Sequence, residues 1–485
     1  MIDSDISEIK NKAVTGVSAL VLRNLLLQPI SFFGFFLLSI FLQRWELGLF
    51  WAVSEIIAFL GYFSDIGLAA AVIQKKEEVS KEEIKAVFTI QQLLVGVLII
   101  TALVLTPYLQ LKFNFDDRGK VLFYSLLFGF FAASLKTIPS VLLERKLKFE
   151  ILATVDLVEQ IIFTGMAVFF AWQGFGIRSW IWAIVVRSVV GVILIYYFSP
   201  WPVGLNFQFK KIKHLIKFGA PFQINSFLAV LKDRLVNIFL WGVVGSDGIG
   251  ILGWAQKWAQ MPLRFFLDSA VRVSFPAYSR LQEDKKRLSA AVERSCFLVN
   301  FSIFPMLAGM AAVMPKIVEI FPKYNKWSVA LIPFWLYLVN FAFGAATTPM
   351  VNCLNAVGKI KKSLKLMVMW TVLTWFLVLP FSKKFGTNGA ALALMIVSSS
   401  SIIAWLIAKK EFKISLFKII GRPFILTMAM FFVLLILTKV LPKTLFGLLS
   451  LVVSGVLVYL SLSFLFVKKE IFWFWRAFKG SFLKK

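Results

Sequence analysis

The stretch LKDRLVNIFLWGVVGSDGIGILGWAQKWAQMPLRFFLDSAVR, residues 231–272, decides how the rest of the chain is read. It lies within long apolar runs, yet carries Lys232, Asp233, Arg234, Lys257, Arg264, Asp268 and Arg272. The remaining sequence reads as membrane-embedded helix, where ionisable groups are costly. A Lys or Arg at the centre of a bilayer costs roughly 2.5–3.5 kcal/mol by insertion scales. Seven charged positions in this stretch therefore mark either a site or a set of compensated ion pairs.

Composition supports the membrane reading. The 485 residues are 59% hydrophobic and 16% charged, with 52 Phe and 16 Trp. A soluble chain would be about a quarter charged. Many apolar runs reach the roughly 20 residues that a helix needs to cross about 30 Å of hydrocarbon. The alternating ten-residue segments of a membrane β-barrel are absent. The fold class expected is therefore an all-α polytopic membrane protein. The first apolar run is about 30 residues long and follows an acidic start, so it reads as a span and not a cleaved leader.

Fourteen spans are expected. The first seven are 13–42, 47–73, 86–108, 120–143, 151–172, 178–199 and 215–244. The second seven are 249–275, 288–313, 328–355, 363–381, 388–408, 419–438 and 445–467. An even number puts both termini on one side. The loops and helix ends on the terminal side hold 33 Lys and Arg, and those on the opposite side hold 12. By the positive-inside rule the termini are cytoplasmic, in a multi-pass protein of the cytoplasmic membrane. The net charge of +28 is accordingly read as topology and contact with anionic lipids, not as a nucleic-acid surface. Two cysteines, Cys296 and Cys353, form neither a disulfide framework nor a metal motif.

The joint from Ser199 to His214, with Pro200, Pro202 and Lys210-Lys211-Ile212-Lys213, divides spans 1–6 from spans 7–12. A short internal echo accompanies it. Leu47-Gly48-Leu49-Phe50-Trp51-Ala52 opens span 2, and Ile249-Gly250-Ile251-Leu252-Gly253-Trp254-Ala255 opens span 8. Two six-span halves in parallel orientation would be a known transporter design, with the site between halves. The organisation expected is an N-terminal lobe (1–205), a C-terminal lobe (206–412), and spans 13–14 with a tail (413–485). In that tail Lys468 to Lys479 interleaves lysines with Phe472, Trp473, Phe474, Trp475 and Phe478. It reads as an interfacial helix on anionic lipid or as a basic end with headgroup-level aromatics.

The ionisable residues inside the spans are unevenly distributed. Spans 1–6 hold Arg23, Lys136 and Arg187 against Glu55, Asp65, Asp156 and Glu159. Spans 7 and 8 hold Lys232, Arg234, Lys257, Arg264 and Arg272 against Asp233 and Asp268. At about 100° per residue, Lys257, Arg264, Asp268 and Arg272 share one face of span 8. Asp268 is four residues from both arginines and can pair with either. Two readings follow. The charges line a cationic, water-filled cavity that receives an anion, or they close salt bridges with first-lobe acids such as Glu55 or Asp65. Arg23, six residues before Pro29, is a first-lobe contributor to such a cavity. Lys136 is near enough to a membrane face to snorkel, and Arg187 can pair with Asp156 or Glu159.

Other chemistries are poorly represented. There is no GxxxxGK[ST] phosphate loop, the one histidine is His214 in a loop, and the sole D-x-D is Asp3-Ser4-Asp5 at the N-terminus. No long outer loop offers room for a catalytic domain. A passive or ion-coupled transporter remains, without a resident cofactor or metal.

Four further segments carry a family likeness: Asp65-Ile66-Gly67-Leu68 through Lys76, Leu143-Glu144-Arg145-Lys146-Leu147-Lys148-Phe149, Pro276-Ala277-Tyr278-Ser279-Arg280 through Asp284, and Asn355-Ala356-Val357-Gly358-Lys359. In order, spacing and span number the chain resembles the Wzx-like oligosaccharide flippases of the multidrug/oligosaccharidyl-lipid/polysaccharide (MOP) exporter superfamily. The resemblance implies two six-helix lobes in a V around a central cavity, with two extra C-terminal helices. It also implies a substrate, a polyprenyl-pyrophosphate-linked oligosaccharide, and glycosyltransferases and a polymerase as partners in the pathway. Arg23, Lys232, Arg234, Lys257, Arg264 and Arg272 are the expected contacts to the anionic head group. Glu55, Asp65, Asp233 and Asp268 are their charge partners or sites for a coupling Na+ or H+, unless the membrane potential alone drives transport. The alternatives are a multidrug exporter of the same fold, for which an acidic cavity is expected, and a membrane glycosyltransferase.

Overall fold

A computed structural model describes residues 2–75, 77–208, 230 and 234–468, without the side chains of 2–18, 20, 21, 268, 269, 272 and 273. Lys232, Asp233, His214 and all but the first residue of the basic aromatic tail lie outside it. The described residues are helical and include no strand. The helices are α1 (Ile2–Phe41), α2 (Arg44–Tyr62), α3 (Leu68–Gln74), α4 (Lys81–Phe113), α5 (Asp117–Arg145), α6 (Phe149–Trp172) and α7 (Arg178–Phe198). After the joint come α8 (Val236–Ala259), α9 (Met261–Arg280), α10 (Lys285–Ile320), α11 (Leu331–Ala356), α12 (Ile360–Ser399), α13 (Ile402–Phe412), α14 (Arg422–Val440) and α15 (Leu445–Phe466).

Twelve of the described stretches are long and apolar enough to cross a membrane. Two of them are each broken by one glycine in a conformation that L side chains rarely adopt: Gly245 (φ 68°, ψ 179°) and Gly386 (φ 59°, ψ −139°). These breaks fall where the sequence separates spans 7 from 8 and 11 from 12; of expected span 7 (215–244), only residue 230 and those from 234 onward are described. Large apolar side chains such as Leu111, Phe376 and Phe466 stand exposed on the helix surfaces, which a soluble monomer would not tolerate at this density. The protein is an all-α, multi-pass membrane protein.

Short polar loops stop and restart the helices by capping. Ser80 and Glu83 form a reciprocal box at the start of α4: Ser80 Oγ accepts from the Glu83 amide at 3.2 Å, and Glu83 accepts from the Ser80 amide at 2.9 Å. Asp116, Asp284 and Thr444 accept from first-turn amides of α5, α10 and α15.

The chain divides into two compact units, 1–250 and 251–485. In the first, α6 packs between α1 and α7, and α5 packs against α7, α4, α2 and α3. The two echoed glycines meet here. A Cβ on Gly48 would lie 1.7 Å from the Ser246 carbonyl oxygen, and one on Gly250 would lie 2.0 Å from the Arg44 carbonyl oxygen. Each glycine thus faces the backbone four residues before the other, a reciprocal crossing of residues 44–48 of α2 and residues 246–250 of α8. Beside it Arg44 Nε bonds Asp247 Oδ1 at 3.0 Å.

In the second unit α10 is central, with α9, α11, α14 and α15 all packed on it. The last two helices, which the sequence sets apart from the lobes, are part of this core. Tyr459 donates to the Phe301 carbonyl at 2.8 Å, and Asn300 Nδ2 donates to the Ile419 carbonyl at 2.8 Å. Buried Trp254 stacks on Trp327 with ring centroids 5.1 Å apart.

Candidate functional site

α6 carries Asp156 and Glu159 one turn apart, and three other helices bring cations to them. Arg23 of α1 binds Asp156 Oδ2 at 2.6 Å. Lys136 of α5 and Arg187 of α7 take the two oxygens of Glu159, at 2.5 and 3.3 Å. Glu159 is 3% exposed, and the Arg187 guanidinium also lies 5.2 Å from the centroid of the Phe163 ring. The unit is stitched around α6 by charge. Lys136 is bonded inward to Glu159, where the sequence allowed it to snorkel. A bonded partner in low dielectric outweighs a stretched path to the membrane surface.

The other first-lobe acids are also engaged. Glu55 of α2 accepts from Arg234 at 2.8 Å, and Asn237 Nδ2 lies 3.5 Å from its second oxygen. Both oxygens of Asp65 accept the Ala69 amide at 3.1 Å and cap α3, where the chain turns through Ile66 and Gly67 at positive φ. Asn237 was not singled out by the sequence reading. Its position three residues after Arg234 on a helix is the signal that would have found it.

The second unit holds the span 8 cations. Lys257 is half-buried near the end of α8. One residue, Gln260, separates α8 from α9, and its backbone remains helical (φ −75°, ψ −17°). Pro262, whose missing amide proton is no loss in a first turn, begins α9. Arg264 is exposed two residues later. Its Nε and Nη2 donate to Gln260 Oε1 at 3.3 and 3.1 Å. α9 runs unbroken to Arg280, so Arg264, Asp268 and Arg272 occupy successive turns. The side chains of Asp268 and Arg272 lie outside the described residues. Among those described, no group of three or more His, Cys, Asp or Glu could hold a metal.

The geometry defines a helical, multi-pass membrane protein whose first unit pairs its acids with cations from several helices. The profile of the polysaccharide biosynthesis protein family matches residues 37–330, more than half of the chain, and the chain belongs to that family. Among curated proteins it is 22% identical over 392 residues to the lipopolysaccharide biosynthesis protein WzxC of Escherichia coli K12, covering 80% of this chain and 79% of that one. In fold it is similar to the lipid II flippase MurJ in an inward closed conformation (TM-score 0.73, 16% identity, 94% of this chain and 100% of that one). It is likewise similar to an inward-facing multidrug resistance MATE family transporter of the MOP superfamily (TM-score 0.58, 16% identity, 80% and 94%). The family is that of polysaccharide biosynthesis proteins, and the fold is the one that MurJ and the MATE transporter share.

Proposed function

We propose that the protein carries a polyprenyl-pyrophosphate-linked oligosaccharide from the inner to the outer leaflet of the cytoplasmic membrane, with both termini cytoplasmic. The observation that carries this reading is the run of cations through α8 and α9, in a chain whose first-unit acids pair with cations of that same unit. Glu55, Asp156 and Glu159 are bonded to Arg234, Arg23, Lys136 and Arg187 of the same unit, and Asp65 caps a helix. Lys257 near the end of α8, Arg264 exposed in α9 and Arg272 two turns further along α9 are the cations assigned here to the anionic head group. A guanidinium suits phosphate because its planar N–H fork can donate two parallel bonds.

With Glu55 and Asp65 engaged, the membrane potential is the simpler driving force. An interior-negative potential expels anions, worth about 2.3 kcal/mol per charge per 100 mV. Proteoliposomes loaded with a labelled lipid-linked oligosaccharide test the reading. Lys257→Ala and Arg264→Ala are each expected to slow flipping at least about tenfold, near 1.4 kcal/mol of lost interaction. Arg264→Lys should fall between, keeping charge but losing the fork. Two well-folded alanine variants with the parental rate would remove the site, and formation of a new glycosidic bond would remove the transporter reading. Collapsing the potential is expected to slow transport; indifference to it would point to a coupling cation.

A further inference from the structure

Within the unit 251–485, faces of α10, α11 and α14, with Trp405 of α13 and Ile420, line a hollow of about 560 Å³, within the roughly 300–1,000 Å³ of ordinary ligand pockets. Its origin is visible in the sequence. One face of α10 places Phe304 and Leu307, then Ala308, Ala311 and Ala312, at helical spacing, and α11 opposes them with Ala342. Alanines stand where the stripe would otherwise fill the space, and α14 forms the third wall. The lining is apolar except for Thr427, Thr438 and Lys316.

Lys316 stands at the end where α10 and α14 finish. Its Nζ lies 3.5 Å from Glu319 Oε2, and Lys443 bonds the other oxygen of that carboxylate. Two cations on one carboxylate leave this cluster with one net positive charge. Trp335, which also lines the hollow, donates Nε1 to the Ala311 carbonyl at 3.2 Å; tryptophan is enriched at the level of lipid head groups.

We propose that this hollow is a binding site for a monoanionic glycerophospholipid, with an acyl chain along the alanines and the phosphate against Lys316. An apolar hollow with a basic end matches a lipid with an apolar chain and an anionic head. One net positive charge is neutralised by a singly charged head group. A zwitterionic lipid would leave it uncompensated, and a pyrophosphate would exceed it.

The test uses the purified full-length protein in neutral detergent, titrated separately with dioleoylphosphatidylglycerol, dioleoylphosphatidylcholine and undecaprenyl phosphate. Native mass spectrometry counts retained lipid, and thermal unfolding reads stabilisation. Phosphatidylglycerol is expected to be retained several-fold more than phosphatidylcholine and to raise the melting temperature. Lys316→Gln should bring the two lipids to near-equal retention. Ala342→Phe, which fills the hollow, should reduce retention of both while leaving the lipid-free melting temperature close to the parent's. Equal retention of the two phospholipids by the parent would overturn the proposal, as would undiminished retention in Ala342→Phe. Preference for undecaprenyl phosphate would also overturn it, by giving the hollow to a polyprenyl chain. None of these readouts involves transport, so failure here leaves the flippase reading standing.

Discussion

Glu159→Leu is expected to destabilise the protein by about 3 kcal/mol, the lower end of the range for removing one partner of a buried ion pair. The carboxylate is 3% exposed and holds cations from two other helices. Its loss strands Lys136 and Arg187 without a counter-charge. The lower end applies because the Arg187 side chain is 40% exposed and retains some access to water. Denaturant or thermal unfolding in detergent would measure the loss. The triple variant Lys136→Met/Glu159→Leu/Arg187→Met should recover most of it, because replacing a whole buried ion cluster by apolar groups is often neutral. A single variant as stable as the parent would mean that the cluster contributes nothing to folding.

Gly48→Ala and Gly250→Ala are each expected to cost about 3 kcal/mol, the upper end of the overpacking range. The reason for the upper end is the identity of the obstacle. At both positions the added methyl meets backbone carbonyl oxygen, at 1.7 and 2.0 Å, and backbone cannot rotate away as a side chain can. Residues 44–48 of α2 and residues 246–250 of α8 must therefore separate. Once they have, the second methyl meets a gap already opened, so the double variant should cost clearly less than the sum of the singles, as is usual for residues in contact. Gly96→Ala and Gly165→Ala are the controls. Beyond the local helix backbone, nothing lies within 4 Å of a Cβ at either site, so helix propensity alone should make them neutral or stabilising by up to about 1 kcal/mol. An additive double variant would mean that the two glycines do not share one crossing.

Much of the fold can be read directly from local chemistry. Span lengths follow from apolar runs, and caps follow from Ser80, Asp116, Asp284 and Thr444 before helical segments. The close approach of Gly48 and Gly250, by contrast, is not contained in the short glycine-aromatic echo that the two segments share. Of the interior charges the sequence shows the positions and the local imbalance, and it offers Glu159 as a partner for Arg187. The partner of Lys136 was missed, because reach to a membrane face can be estimated from position in a span while a neighbouring helix cannot.

Hydrophobicity and helical periodicity act over a few turns, which is why the primary structure alone establishes a polytopic helical protein with a charged stretch at 231–272. Pairings such as Arg23 with Asp156, Arg44 with Asp247 and Arg234 with Glu55 join residues more than 100 positions apart. The docking of α14 and α15 on α10, and the hollow their alanine-rich neighbour leaves, are of the same kind. They depend on which helix faces pack together, and in a membrane, where every span is apolar on most sides, sequence pattern distinguishes those faces only weakly. Tertiary packing therefore decided which interior charges are paired within the first unit.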